Sequence, residues 1–172
     1  MDYGVLMVRL SKIAMTGGLA LFAMLVTFNN IVDYGSNWAF VQHVMMMDTT
    51  FPDSTLRVRD IDNEPIQSAA YAAIITTEGL ICLAFLYATF AMLRTLSAPK
   101  AVFQRAKSAT AAGILLAFSL WFTGFMAIGG EWFAMWQSEK WNGQTAAFYF
   151  CMTTLAAGIY IFLDTDGEPS AG

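Results

Sequence analysis

The chain has 172 residues and a net charge of −4, with 57% hydrophobic and only 13% charged residues. A soluble domain carries about a quarter charged residues to cover its surface. The mean hydropathy of +0.53 therefore excludes an ordinary soluble domain, and the acidic balance without a dense basic cluster argues against a nucleic-acid partner.

The first apolar run, Ile13 to Ile31, reads IAMTGGLALFAMLVTFNNI behind Arg9 and Lys12. No small-x-small cleavage pattern follows it, so it reads as a retained membrane anchor rather than a signal peptide. Three further runs cover residues 69–93, 108–129 and 144–163. Each has about the 20 residues that a helix needs to cross a hydrocarbon core of about 30 Å. Each is apolar around most of its circumference, unlike an amphipathic helix of a soluble bundle. Backbone polar groups in lipid must be satisfied within the segment, so each run is predicted helical. The expectation is an all-α membrane protein. It is one integral membrane domain over residues 1–172: a four-transmembrane-helix bundle, up-down-up-down, with a structured outer, periplasmic cap built from two loops at about 32–68 and 130–143.

Small residues recur at helix-packing intervals: Ala73, Thr77, Ala84 and Ala88; Ala109, Gly113, Ala117 and Gly124; Ala147, Cys151, Thr154 and Gly158; with Gly17 and Gly18 in the first run. Small residues let helix backbones approach closely in lipid. Cys82 and Cys151 lie inside apolar runs and read as packing residues rather than a redox pair. The tail DTDGEPSAG is polar and reads as loose.

Six basic residues, Arg9, Lys12, Arg94, Lys100, Arg105 and Lys107, fall on one predicted side, and three, Arg57, Arg59 and Lys140, on the other. By the positive-inside rule both termini are expected in the cytoplasm.

The first outer loop opens with Asp33. NWAFVQHVMMM is predicted as a short interfacial helix with Trp38, Val41 and Val44 or Met45 on one side. TTFPDS is predicted as a turn at Pro52, and Asn63 as the N-cap of the next helix. The second outer loop, GGEWFAMWQSEKWNG, carries Glu131 and three of the five tryptophans, Trp132, Trp136 and Trp141. Polar groups are denser among these aromatics than an interfacial belt requires, so the two loops are expected to pack together.

FNNIVDYGSNWAFVQHVMMMDTTFPDS and IGGEWFAMWQSEKWNGQTAAF resemble the signatures of a proteobacterial family of predicted small integral membrane proteins of unknown function. The resemblance covers about Arg9 to Leu163. It implies four spans and a bacterial inner membrane, and it carries no activity or catalytic residue across.

Glu78 is the one acid inside a run. An ionisable group at that depth is costly and marks a functional hypothesis, a proton-carrying site or a polar ligand contact. The structural alternative is a protonated Glu78 bonded to a Thr, Tyr or Asn of a neighbouring helix. Asn29 and Asn30 end the first run and are expected to bond to the cap or a helix end, with ligand contact as the second use. His43 is the only histidine. It is expected in cap hydrogen bonding rather than as a ligand, since haem held by two histidines needs a pair. Met45, Met46 and Met47 are adjacent on a helix and point in different directions, so they are expected to fill apolar space rather than bind copper.

No nucleophile elbow, phosphate loop or metalloprotease helix occurs. The expectations are no metal site, no enzymatic activity, and no cofactor beyond a bound lipid or quinone. The partners expected are membrane lipids, with other membrane subunits or self-association. An accessory subunit of a larger respiratory or photosynthetic membrane complex is the leading reading. The alternative is a small oligomeric transporter or channel, or a lipid- or quinone-binding protein using Glu78. A redox enzyme is the weakest of the three.

Overall fold

Asp2 opens the first helix, its carboxylate accepting from the Gly4 amide at 3.2 Å, and α1 then runs unbroken over Tyr3–Val32. The computed structural model describes residues 2–167. One residue separates α1 from α2, Tyr34–Met46, which ends where Met47 turns left-handed at φ 51°. Asn63 caps α3, Glu64–Arg94, by accepting from the Ile66 amide at 3.1 Å, and Pro65 sits in the first turn, where a missing N–H costs nothing.

The third rod is a continuous run of α4, Lys100–Ser108, α5, Thr110–Phe118, and a 14-residue π-helix, Ser119–Trp132. The widened pitch shows at its end, where the Phe133 amide donates to Ile128 O, five residues back, at 3.0 Å. α6, Gln144–Phe162, closes the bundle. These four rods are long and apolar enough to cross a membrane. The helices overrun most of the apolar runs, by ten residues at the start of α1 and eight at the start of the third rod. Hydropathy marks the stretch that suits lipid, whereas hydrogen bonding carries each helix beyond it.

The rods form a ring: α1 packs on α3 and α6, α3 on α5, and α6 on α5 and the π-helix. The interior is Leu19, Ala23, Ile81, Phe85, Leu120 and Trp121 with their neighbours. Two glycines allow close approaches between the rods. A Cβ at Gly113 would meet the Phe85 ring at 2.6 Å, and one at Gly158 would meet Ile114 at 2.6 Å.

The small-residue stripes divide in a way the spacing did not foretell. Gly113 and Ala117 are buried in the bundle, as are Ala147, Cys151, Thr154 and Gly158. On α3 only Ala88 is buried, whereas Ala73 is exposed and Thr77 and Ala84 are half-buried. Gly18 faces no neighbour within 4 Å. The α3 stripe is thus not a packing seam along its whole length.

The expectation of a loose tail is overturned for its first residues, while residues 168–172 lie outside the described chain. Asp166 is 0% exposed and accepts from both Lys12 Nζ and Lys107 Nζ. Both lysines also donate to Leu163 O, at the end of α6. Arg9 donates to Asp166 O at 2.9 Å, Leu96 O at 2.8 Å and Ala98 O at 2.7 Å, and lies over the Phe103 ring at 4.7 Å. Carbonyls that a helix end leaves unbonded attract cations, and here three cations collect them. We call this the basic end, and the opposite one the cap end.

Candidate functional site

The cap is assembled from both loops. Val41, Val44, Met45 and Met47 from the first loop bury against Phe133, Ala134 and Met135 of the second, and Ala134 adopts φ 50° to make the turn. Thr49 and Ser138 share a hydroxyl hydrogen bond of 2.8 Å, and the Phe51 amide donates to Gln137 Oε1 at 3.2 Å. Arg59 donates to the Glu131 and Trp132 carbonyls at 3.4 and 3.3 Å and lies over the Trp132 ring. Trp38 donates to Ser68 Oγ at 3.2 Å, joining α2 to α3.

His43 does not face the interior. Its Nδ1 pairs with Asp48 at 2.7 Å, and its ring stacks on Trp141 at 4.6 Å. Lys140 also sits over Trp141, and Trp136 packs edge-on against Phe51. Among the described residues no group of three or more His, Cys, Asp or Glu side chains is placed to hold a metal ion. Cys82 and Cys151 are free and buried.

Beneath this cap the bundle is hollow. A chamber of about 290 Å³ lies where all four rods meet, with α2 above it. Its polar groups are Asn29, Asn30, Asn37, Tyr71 and Glu78, and the rest of its wall is apolar, including Trp121, Phe125 and Phe150. Antiparallel packing of α1 on α3 brings Asn30 level with Glu78, 48 residues away in sequence. Asn30 Nδ2 donates to both oxygens of Glu78, at 3.0 and 2.8 Å. Tyr71 donates to the Asn30 carbonyl at 2.8 Å, fixing the last turn of α1.

Glu78 is 3% exposed, and the amide of Asn30 is its one side-chain hydrogen-bond partner among the described residues. An ionised carboxylate has about four lone-pair sites, so in that form two bonds from one amide leave it capacity to accept from a ligand. Of the residues singled out in the sequence, Asn29, Asn30 and Glu78 line this chamber. His43 and the cap tryptophans do not, and Asp33 lies at the α1–α2 junction, where its carbonyl accepts from Asn37 Nδ2 at 3.0 Å. The sequence reading singles out neither Tyr71 nor Asn37. Tyr71 stands seven residues before Glu78, two turns along the same helix face, and that spacing was the available signal.

A second cavity of about 530 Å³ adjoins the first. It lies between α3 and the π-helix, and the two share Phe40, Val41, Ile74 and Phe125 as common wall.

Residues 8–164 match the family model described as "Predicted small integral membrane protein (DUF2165)". No curated protein and no solved structure matches the chain.

Proposed function

The chain belongs to that family of small integral membrane proteins, and on that premise we propose that it is a binding protein for an amphipathic ligand drawn from the membrane, whose polar head is held by Glu78 and Asn30. One observation carries the reading. The interior acid faces a chamber of about 290 Å³ with apolar walls and a few convergent polar groups. That volume is at the lower end of small-molecule sites, which run at about 300–1,000 Å³ and share this lining. An acceptor-rich head site selects a ligand presenting an O–H or N–H, such as a quinol, an alcohol or an amine. No catalytic role is assigned to the chamber.

This reading ranks ahead of an accessory subunit because the cavity is formed within one chain's own spans. The test is mass spectrometry of the lipids retained when the protein is isolated in nanodiscs cut directly from its native membrane. One lipid class enriched over the bulk membrane, and lost in Glu78→Gln, supports the proposal. Bulk composition in the wild type overturns it, and stoichiometric protein partners in that preparation would move the reading to the subunit.

The basic-residue distribution supports a bacterial inner-membrane orientation with the basic end and both termini in the cytoplasm and the cap in the periplasm. A reporter fused after Gly172 should be active in the cytoplasm, and periplasmic activity would reverse this topology.

A further inference from the structure

The larger cavity differs in kind from the chamber. Its lining holds no charged residue, and only Thr77 and Ser119 bring hydroxyls. Thr77 turns its hydroxyl back to Ala73 O at 2.8 Å. The groove opens on the side of the bundle between α3 and the π-helix, where Ala73, Ser119 and Ile128 are exposed. Its walls are kept low by small residues, among them Ala70, Ala73 and Gly124. The π-helix matters here, since such widened turns recur at functional sites, and it supplies six lining residues between Ser119 and Gly129, with α2 and the cap loops closing the rest. Phe40 and Phe125 stack at 6.3 Å and 20° on the boundary between groove and chamber.

We infer that this groove holds the hydrocarbon chain of the ligand whose head occupies the chamber, the chain passing the stacked Phe40–Phe125 pair. The inference rests on the reading of the chamber as a head site and adds the ligand class, a single-chain amphiphile. Three features select that occupant. The lining is almost wholly apolar, the groove is continuous with the polar chamber through shared walls, and it opens laterally where lipid chains lie. Phe40 and Phe125 become specificity-determining, because a second chain or a bulky branch at the boundary would have to displace both rings.

The test uses photo-crosslinking of the full-length protein in nanodiscs, followed by peptide mapping. Two probes are made from hexadecanol, one with a diazirine beside the hydroxyl and one with a diazirine at the chain terminus, and the same pair is made from farnesol. The proximal probe is expected to mark Asn30 and Glu78, and the terminal probe Ala70 and Ile128, the labelled residue on α3 being assigned by fragment-ion sequencing of the peptide. Labelling of those positions by either chain supports the inference, and the preferred chain separates an acyl from an isoprenoid source.

Gly124→Leu puts bulk at the groove wall from a position where a Cβ meets nothing closer than 3.8 Å. It should cut terminal-probe labelling of the groove by about tenfold, the loss of about two buried methylene groups. Proximal labelling of the chamber should persist. Glu78→Gln should lower both. Terminal labelling confined to the outer faces of the rods, with the chamber still marked, overturns the groove and spares the head site. A wild type whose chamber is not marked overturns both.

Discussion

The two ends of the bundle bury charge in opposite ways. At the basic end Arg9, Lys12 and Lys107 converge on Asp166 and on helix-terminal carbonyls, and the cluster is sealed, with Lys12 and Asp166 both 0% exposed. At the cap end one acid, Glu78, meets one neutral amide, and a chamber of about 290 Å³ is left beside it. The first arrangement consumes its polar capacity internally and ties α1, α4 and the segment after α6 into one joint. The second leaves capacity over. A sealed polar cluster is a fastening, whereas an unsealed one beside a cavity is suited to a ligand.

The sharpest way to break this contrast is to remove the fastening. Asp166→Ala leaves two lysines buried without their anion, which costs about 3–5 kcal/mol for a buried pair stripped of one partner. Thermal unfolding in mild detergent should show a large drop in midpoint. Replacing Lys12 and Lys107 by Met alongside Asp166→Leu should recover most of it, because an apolar set of similar volume avoids the desolvation cost. An Asp166→Ala variant as stable as wild type would show that the joint is not a fastening. Glu78→Gln, by contrast, keeps one of the two bonds from Asn30 through its remaining oxygen and should unfold near the wild-type midpoint.

The same contrast can be drawn within the third rod. Gly113 lies in the closed half, and a methyl there meets the Phe85 ring at 2.6 Å. Gly113→Ala should destabilise by about 1–3 kcal/mol through overpacking. Gly124 lies in the hollow half, where a Cβ makes only ordinary contact at 3.8 Å. Gly124→Ala should be neutral or should stabilise by up to about 1 kcal/mol, the helix-propensity difference. Equal losses at both glycines would mean that the hollow half is as tightly packed as the closed one.

Local signals made the scaffold legible. Hydropathy located four rods, Asn63 followed by Pro65 marked the start of α3, and the aromatic and polar density of the two loops pointed to one cap. What could not be read was pairing across long separations. Asp166 sits in a polar tail whose partners, Lys12 and Lys107, are 154 and 59 residues away, and nothing in its neighbourhood distinguishes it from Asp164. The α3 stripe at Ala73 and Thr77 has the spacing of a packing seam but borders a groove, because spacing gives the face and not what stands opposite. The π-helix has no proline within it, and its glycines, Gly124, Gly129 and Gly130, do not by themselves announce a widened pitch. Glu78 and Asn30 were each conspicuous as polar residues in or at the edge of an apolar run, yet their bond depends on the antiparallel register of α1 and α3.

A smaller effect belongs to the cap surface. His43 and Asp48 are each about one-third exposed, and such pairs are worth about 0.2–1 kcal/mol. Asp48→Asn should therefore move the unfolding midpoint only slightly and leave the ligand content of the chamber unchanged. Loss of bound ligand in that variant would tie the cap surface to the chamber and blur the division between them.

The smallest effect returns to the basic end, at its exposed rim. Asp164 accepts from Lys100 at 3.1 Å and from Gln104 at 2.6 Å. The Lys100 ammonium holds its carboxyl below the usual 3.8, against an opposing effect of desolvation, with smaller lowering effects from Lys107 and Gln104. A carboxylate whose acidity is raised by folding stabilises the folded state above its unfolded pKa and loses that contribution as pH falls through the folded value. The contribution is therefore complete at neutral pH and fades only below about pH 4. Solvent screening keeps it small. Lys100→Ala should lower the neutral-pH unfolding midpoint slightly and leave the acid-pH value unchanged, so that a shallow acid-side decline flattens. The Asp166 joint, sealed from water a few residues away, should survive that substitution. A Lys100→Ala midpoint as low as that of Asp166→Ala would show the rim and the joint to be one cooperative unit.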